Sequence, residues 1–270
     1  MLISSKSVNT LIERLNSADE IFCSGLFLSA RWFILSQLDY DGPQLIVLPD
    51  KDSAEYCAAD LYNMLEGDCV FFLPDSGKRL AKSNYKSTLG VQRTSAIGKI
   101  LEYKEGRPVV VTYPSAMEEG IPEAGKIRES LLKLTVGDEI SHDDIVEKLF
   151  GSGFERVDFV AEPGQFAVRG AIVDIFSYSY SDPFRVSFFG DEIETINIFD
   201  CNTQLSKEKV ISAEIYPDLI ASEHEESMTS VADILPKGTL VWLDSSDMYK
   251  NMDFFPLLDK FQRVYMELPL

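Results

Sequence analysis

The chain is short of basic residues, histidine and cysteine, and each shortage removes a class of function. Against 44 acidic residues stand only 25 lysines and arginines, for a net charge of −19 at pH 7. Affinity for a phosphate backbone rests on counterion release at many Lys and Arg contacts, so free DNA is expected to be repelled. His142 and His224 lie far apart and neither has a cysteine or histidine nearby, which argues against a zinc site. Cys23, Cys57, Cys69 and Cys201 are scattered without any Cys-x-x-Cys spacing, so no disulfide framework is expected. No apolar run approaches bilayer length, and the first residues lack the basic-then-apolar order of a signal peptide. A cytosolic location without membrane contact is the expectation.

Nucleotide chemistry is missing as well. A phosphate-cradling loop needs Gly-x-x-x-x-Gly-Lys-Ser/Thr at a strand end, so that backbone N–H groups reach the phosphates and lysine supplies charge. Ser24-Gly25-Leu26 runs on into Phe27 and Leu28 with no lysine. Asp75-Ser76-Gly77-Lys78-Arg79 lacks both the upstream glycine and the hydroxyl after the lysine. Leu240 to Leu243 followed by Asp244 has the form of a magnesium-holding strand end, a weak signal without the loop. Asp143-Asp144 reads as a helix start and Asp191-Glu192 as a turn, and no nucleophile can be paired with a base. No catalytic, cofactor-binding or metal-binding residue is therefore assigned.

What is present is apolar pattern. The 270 residues, 45% apolar, are enough for two or three packed units. Val8, Leu11, Ile12 and Leu15 repeat at helical spacing, and Ser29 to Leu38 reads as a second helix. Leu45 to Leu48 is a short buried strand, Ala54 to Leu65 a helix capped by Gly67, Cys69 to Leu73 the next strand, and Pro108 to Thr112 a third. Strands alternating with helices imply crossover units and a parallel sheet, the layout of a helicase-type motor domain. Ile121 to Gly137 carries a helical run around Leu131, Leu132 and Leu134; Ser141 then starts a helix whose apolar face is Ile145, Val146, Leu149 and Phe150. Lys78, Arg79, Lys82 and Lys86, with Tyr85, form a basic cluster best read as a solvated face. Ala221 to Ser227 reads as an exposed acidic loop, and Val231 to Leu268 as strand and helix rejoining the first part.

Gly153 to Asp200 reads differently. Pro163-Gly164, Gly170, Ser177 to Pro183 and Gly190 break it into short apolar segments, the mark of a small antiparallel sheet. In the fourth segment Phe184, Val186 and Phe188 point one way and Arg185, Ser187 and Phe189 the other. The stretch holds nine acidic residues and three basic ones, so Arg169 and Arg185 stand out. Two readings are open. The arginines could anchor a protein interface, or they could pair internally with Asp174, Asp191 or Glu192.

The strings PGQFAVRGAIVDIF and FRVSFFGDEIETINIFD resemble the second domain of bacterial transcription-repair coupling factors and of their relative UvrB. GLFLSARWFILSQL and LIVLPDKDSAEYCAADL are similar to the coupling-factor pattern in the first part. The resemblance implies an α/β fold, a degenerate helicase-like parallel-sheet domain with an inserted small α+β domain containing an antiparallel sheet. It implies a motor-like domain over residues 1–122, a docking domain for the damage-recognition ATPase UvrA over 123–212, and a third segment, 213–270, packing back on the first. Carried over by position, the UvrA contacts would be Arg169, Arg185 and Phe189. UvrB carries a nucleotide loop and a DNA-inserting hairpin, and the sequence holds neither, which favours the coupling factors. The resemblance further implies a non-enzymatic module recruiting UvrA to stalled RNA polymerase in nucleotide excision repair. RNA polymerase, DNA, ATP and magnesium would be engaged by other domains of the parent, and its C-terminal domain would mask the UvrA face. The alternative is a UvrB-type ATP-dependent DNA-repair enzyme with a degenerate loop, and a blander one is a purely structural domain pair.

Overall fold

A computed structural model describes residues 5–25, 29–38, 40, 42–65, 69–77, 88–103, 106–219, 228–245 and 247–267. In chain order the elements begin α1 (Ser5–Leu15), β1 (Glu20–Ser24), α2 (Ala30–Gln37), β2 (Gln44–Val47), α3 (Lys51–Met64), β3 (Val70–Phe72), α4 (Thr88–Glu102) and β4 (Val109–Thr112). They continue with α5 (Pro114–Glu118), β5 (Ile121–Pro122), α6 (Ala124–Ser130), β6 (Leu132–Thr135), α7 (His142–Gly151), β7 (Glu155–Arg156), β8 (Gln165–Arg169) and β9 (Ile172–Ile175). The rest are β10 (Phe184–Phe189), β11 (Glu192–Phe199), β12 (Ser206–Val210), β13 (Ser212–Ile215), β14 (Met228–Thr229), α8 (Val231–Ile234), β15 (Leu240–Leu243) and β16 (Gln262–Glu267). The chain forms two compact units, one of residues 1–80, 99–121 and 229–270, the other of residues 81–98 and 122–228.

The first unit is built on a six-stranded parallel sheet in the order β1-β16-β15-β2-β4-β3. Its central strands, QLIV, VVVT and LVWL, are buried at every position, as expected where helices cover both faces. Trp242 is wholly buried and its indole N–H donates to Gln44 Oε1 at 2.9 Å, so the one polar atom of the ring is satisfied. Helix α3 starts at Asp50, which caps it by accepting from the Ser53 amide, and presents Ala54, Cys57 and Leu61 to the sheet. Leu65 ends that helix; the expected cap Gly67 lies outside the described residues, as do Leu26 to Leu28, the basic cluster from Lys78 to Lys86, and the acidic loop from Ala221 to Ser227. Among the described residues no helix is long and apolar enough to cross a membrane.

The second unit holds a six-stranded sheet in the order β12-β11-β10-β9-β8-β7, antiparallel except for the β7/β8 pair. One face is its core: Phe166, Val173, Ile175, Phe184, Val186, Phe188, Ile193 and Ile196 pack with Ile145 and Leu149 of α7. Ser141 caps α7 through the Asp144 amide, as the sequence suggests, whereas Phe150, expected on the apolar face, is exposed and meets Phe166 edge-on. A correction falls on Leu131 to Leu134. These residues are not helical; Leu131 ends α6, and Leu132 and Leu134 alternate along β6, which pairs with β13. A short leucine run satisfies both periods, and the partner strand about 80 residues later decides.

Candidate partner-binding face

The opposite face of the antiparallel sheet is divided. Over one part lies the segment before β8, whose Val157 and Val160 pack on Ala167, Phe176 and Phe199 in a small second cluster. The other part is polar and carries the arginines. Two hairpins shape its end. Arg169 pairs with Ile172 and Phe189 with Glu192, leaving Gly170-Ala171 and Gly190-Asp191 as two-residue loops. In each loop the first residue has positive φ, +60° at Gly170 and +64° at Gly190, and the second does not, which is the type II′ pattern that matches strand twist. Strands β8 and β10 run the same way, so both turns lie at one end of the sheet, and the amide of Phe188 donates to the Ala171 carbonyl at 2.9 Å.

Register then assembles the charges. Asp174 lies opposite Arg185 across the β9/β10 pair. Its carboxylate, 1% exposed, accepts from Arg185 Nε at 2.7 Å and Nη2 at 2.9 Å, and from Arg169 Nη2 on the neighbouring strand. One buried carboxylate thus serves two guanidiniums and leaves a surplus positive charge in an acidic domain. The internal pairing left open by the sequence is therefore present, with Asp174 as the partner, and neither arginine is freely exposed.

The two arginines are not equivalent. Arg185, 19% exposed, is held at every edge: besides Asp174 it donates to Gln204 Oε1 at 3.0 Å and to the Gln204 carbonyl at 3.4 Å, and it lies 4.2 Å over the buried Phe199 ring. Hydrogen bonding to Asp174 outweighs desolvation and raises its pKa above the ordinary arginine value. Gln204 is the one non-glycine with positive φ among the described residues, at +60°. A turn in which Asp200 accepts from the amides of Asn202 and Thr203 holds it there. Strained backbone is thus retained where it meets a guanidinium. Arg169 is 35% exposed and, among the described residues, pairs with Asp174 and lies 5.1 Å from the ring of Phe159. Phe189 stands beside its turn, 78% exposed.

All three sequence-predicted site residues fall on this sheet, two of them on one carboxylate. Sequence reasoning missed Phe159, whose exposed ring beneath Arg169 had no periodic signal, and Gln204, whose part depends on a turn. Elsewhere Asp244, at the end of β15, forms an ion pair with Arg31 and is not a bare strand-end carboxylate. Among the described residues no group of three or more His, Cys, Asp or Glu is placed to hold a metal ion.

The chain is mixed α/β, with a six-stranded parallel sheet in one unit and a largely antiparallel six-stranded sheet in the other, the latter bearing two arginines on its polar face. Comparison with known proteins makes this specific. Residues 132–219, which include that sheet, match the family model described as UvrB interaction domain. The transcription-repair-coupling factor of Mycobacterium tuberculosis (strain CDC 1551 / Oshkosh) is 35% identical over 187 residues, 66% of this chain and 15% of that protein. That of Bacillus subtilis (strain 168) is 28% identical over 213 residues, 77% of this chain and 18% of that protein. The UvrABC system protein B of Methanococcus maripaludis is 31% identical over 145 residues, 54% of this chain and 22% of that protein. The resemblance read from the sequence is borne out: the chain is homologous to transcription-repair-coupling factors over much of its length and carries the UvrB interaction domain pattern. It spans less than a quarter of each of these relatives.

Proposed function

We propose that the chain is a non-catalytic recognition module of a transcription-repair coupling factor, and that the polar face of its antiparallel sheet docks UvrA. The observation that carries the reading is the coincidence of an underneutralised Arg169–Asp174–Arg185 cluster and the exposed Phe189 with the segment matched as a UvrB interaction domain. Arginine and aromatic side chains dominate interface energetics, and a surplus guanidinium charge in an acidic protein selects a partner carboxylate. In this reading the first unit keeps a motor-like, helicase-type layout without motor chemistry. Stalled RNA polymerase, DNA, ATP and magnesium would be handled by other domains of a longer coupling factor. Its C-terminal domain would compete for the same face, which needs only a modest effective-concentration advantage.

Binding of purified UvrA to the whole chain tests this. Arg169→Ala and Phe189→Ala should each weaken binding by about 2 kcal/mol, roughly 30-fold, with the melting temperature held. Arg185→Ala should lose binding and stability together, because that side chain is part of the packed sheet face. UvrA binding no tighter than an unrelated acidic protein would end the docking proposal. The competing reading, an ATP-dependent DNA-repair enzyme of UvrB type, needs saturable ATP affinity; engagement of the Asp244 carboxylate by Arg31 weighs against it.

A further inference from the structure

Phe159 is a large apolar side chain left 62% exposed in the middle of an anchored segment. On one side Val157 and on the other Val160 turn inward onto Ala167, Phe176 and Phe199, with Val160 almost wholly buried. The Val157 amide is held by the Phe166 carbonyl at 2.9 Å, and Gln165 Oε1 accepts from the amides of Ala161 and Glu162. The backbone around Phe159 is thus fixed while its ring remains in water. That combination costs little ordering entropy on association and offers rigid apolar area, two properties of an interface anchor.

What the ring touches gives the chemistry of the partner. The Arg169 guanidinium lies 5.1 Å over it and gives Asp174 one edge. A cation resting on an aromatic face is oriented without being neutralised. The remaining Arg169 N–H groups have no partner among the described residues, in contrast to Arg185, which is satisfied on both edges. Two guanidiniums against one carboxylate leave one positive charge uncompensated, and Arg169 is the more exposed place for it.

We propose that Phe159 and Arg169 act as one clip on UvrA, taking a carboxylate on the outer edge of the guanidinium and a neighbouring apolar side chain on the exposed ring. The inference rests on the docking reading above and extends the face from the hairpin end at Phe189 to the segment that precedes β8. The partner surface it fits is acidic with an apolar residue adjacent, and the specificity lies in that pairing.

The test is UvrA affinity for the whole chain carrying Phe159→Ala, Phe159→Leu, Arg169→Ala and the Phe159/Arg169 double alanine substitution, with Phe189→Ala alongside and melting temperatures measured for all. Phe159→Ala should weaken binding about tenfold and Phe159→Leu by less, since leucine keeps apolar area without the cation-binding face. The double variant should lose clearly less than the product of the single losses, the signature of two groups acting together. Added salt should weaken the wild type more than Arg169→Ala. Phe159→Ala binding within twofold of wild type, while Arg169→Ala and Phe189→Ala lose affinity, overturns the clip and leaves the docking face standing. Multiplicative losses in the double variant overturn the coupling. Absence of wild-type binding overturns the docking reading and the clip with it.

Discussion

Replacing Asp174 by asparagine should unfold the second unit more readily and loosen the hold on Arg169. The carboxylate is almost wholly buried and accepts three donors, two from Arg185 and one from Arg169. Hydrogen bonds to charged groups contribute about 1.5–3 kcal/mol each, and breaking a buried ion pair by removing one partner costs about 3–5 kcal/mol. Both guanidiniums keep a route to water, and the amide oxygen of asparagine retains one acceptor, so the lower end applies. We expect a loss of about 2–3 kcal/mol. Trp32 and Trp242 both lie in the first unit's core and are blind to this change. The assay is therefore urea unfolding followed by far-UV ellipticity, with amide exchange of peptides covering residues 165–199 as the local readout. The sign of the pH dependence follows from the raised Arg185 pKa. A group whose folded pKa lies above its ordinary value contributes fully below that ordinary value and loses its contribution only as pH rises through the raised one. The difference between wild type and Asp174→Asn should accordingly be flat between about pH 6 and pH 9. A loss under about 0.5 kcal/mol would mean that the cluster behaves as an exposed surface pair, and the reasoning about a buried shared carboxylate would be wrong.

Three further outcomes follow from the same unit. Gly190→Ala meets nothing within 4 Å but must hold φ at +64°, so it should cost about 1 kcal/mol from backbone strain alone, read as a shift of the urea midpoint. Ser141→Ala removes the cap of α7 and should cost about 1 kcal/mol, with exchange rising first at the amides of the opening turn. Asp200, whose pKa is lowered chiefly by the Thr203 and Asn202 amides, should titrate below 3.8 by NMR; its contribution is present above that value and lost as pH falls through the lowered one. An ordinary midpoint would mean that the turn supporting Gln204 does not form in solution.

The parallel strands were legible because burial on both faces writes itself as unbroken apolar runs, seen at Leu45 to Leu48 and Pro108 to Thr112. The alternation of Phe184 to Phe189 likewise gave the two faces of β10 correctly. What alternation cannot give is register. Asp174 is five residues from Arg169 and eleven from Arg185, and it takes the Gly170 hairpin between β8 and β9 together with the 176–183 connection between β9 and β10 to bring all three to one point. The same blindness made a strand at Leu132 to Thr135 look helical, since its pairing to β13 is remote in sequence. Phe159 escaped because nothing around it repeats: it is an exposed ring on an irregular segment, and its meaning comes from the arginine that lies over it.

The order of strands in the parallel sheet also sets an order in time. β15 and β16 stand between β1 and β2, yet they are made only after the whole second unit has been synthesised. On the ribosome, strand β1 therefore has no neighbour among the described strands until β16 emerges, while the antiparallel sheet is already complete and able to close on itself. Until then β2, β4 and β3 can pair with one another, but β1 and the open edge of β2 wait without the strands that join them, a state prone to wrong association. A truncation before residue 240 would accordingly leave the second unit's sheet whole but split the first unit's sheet in the middle.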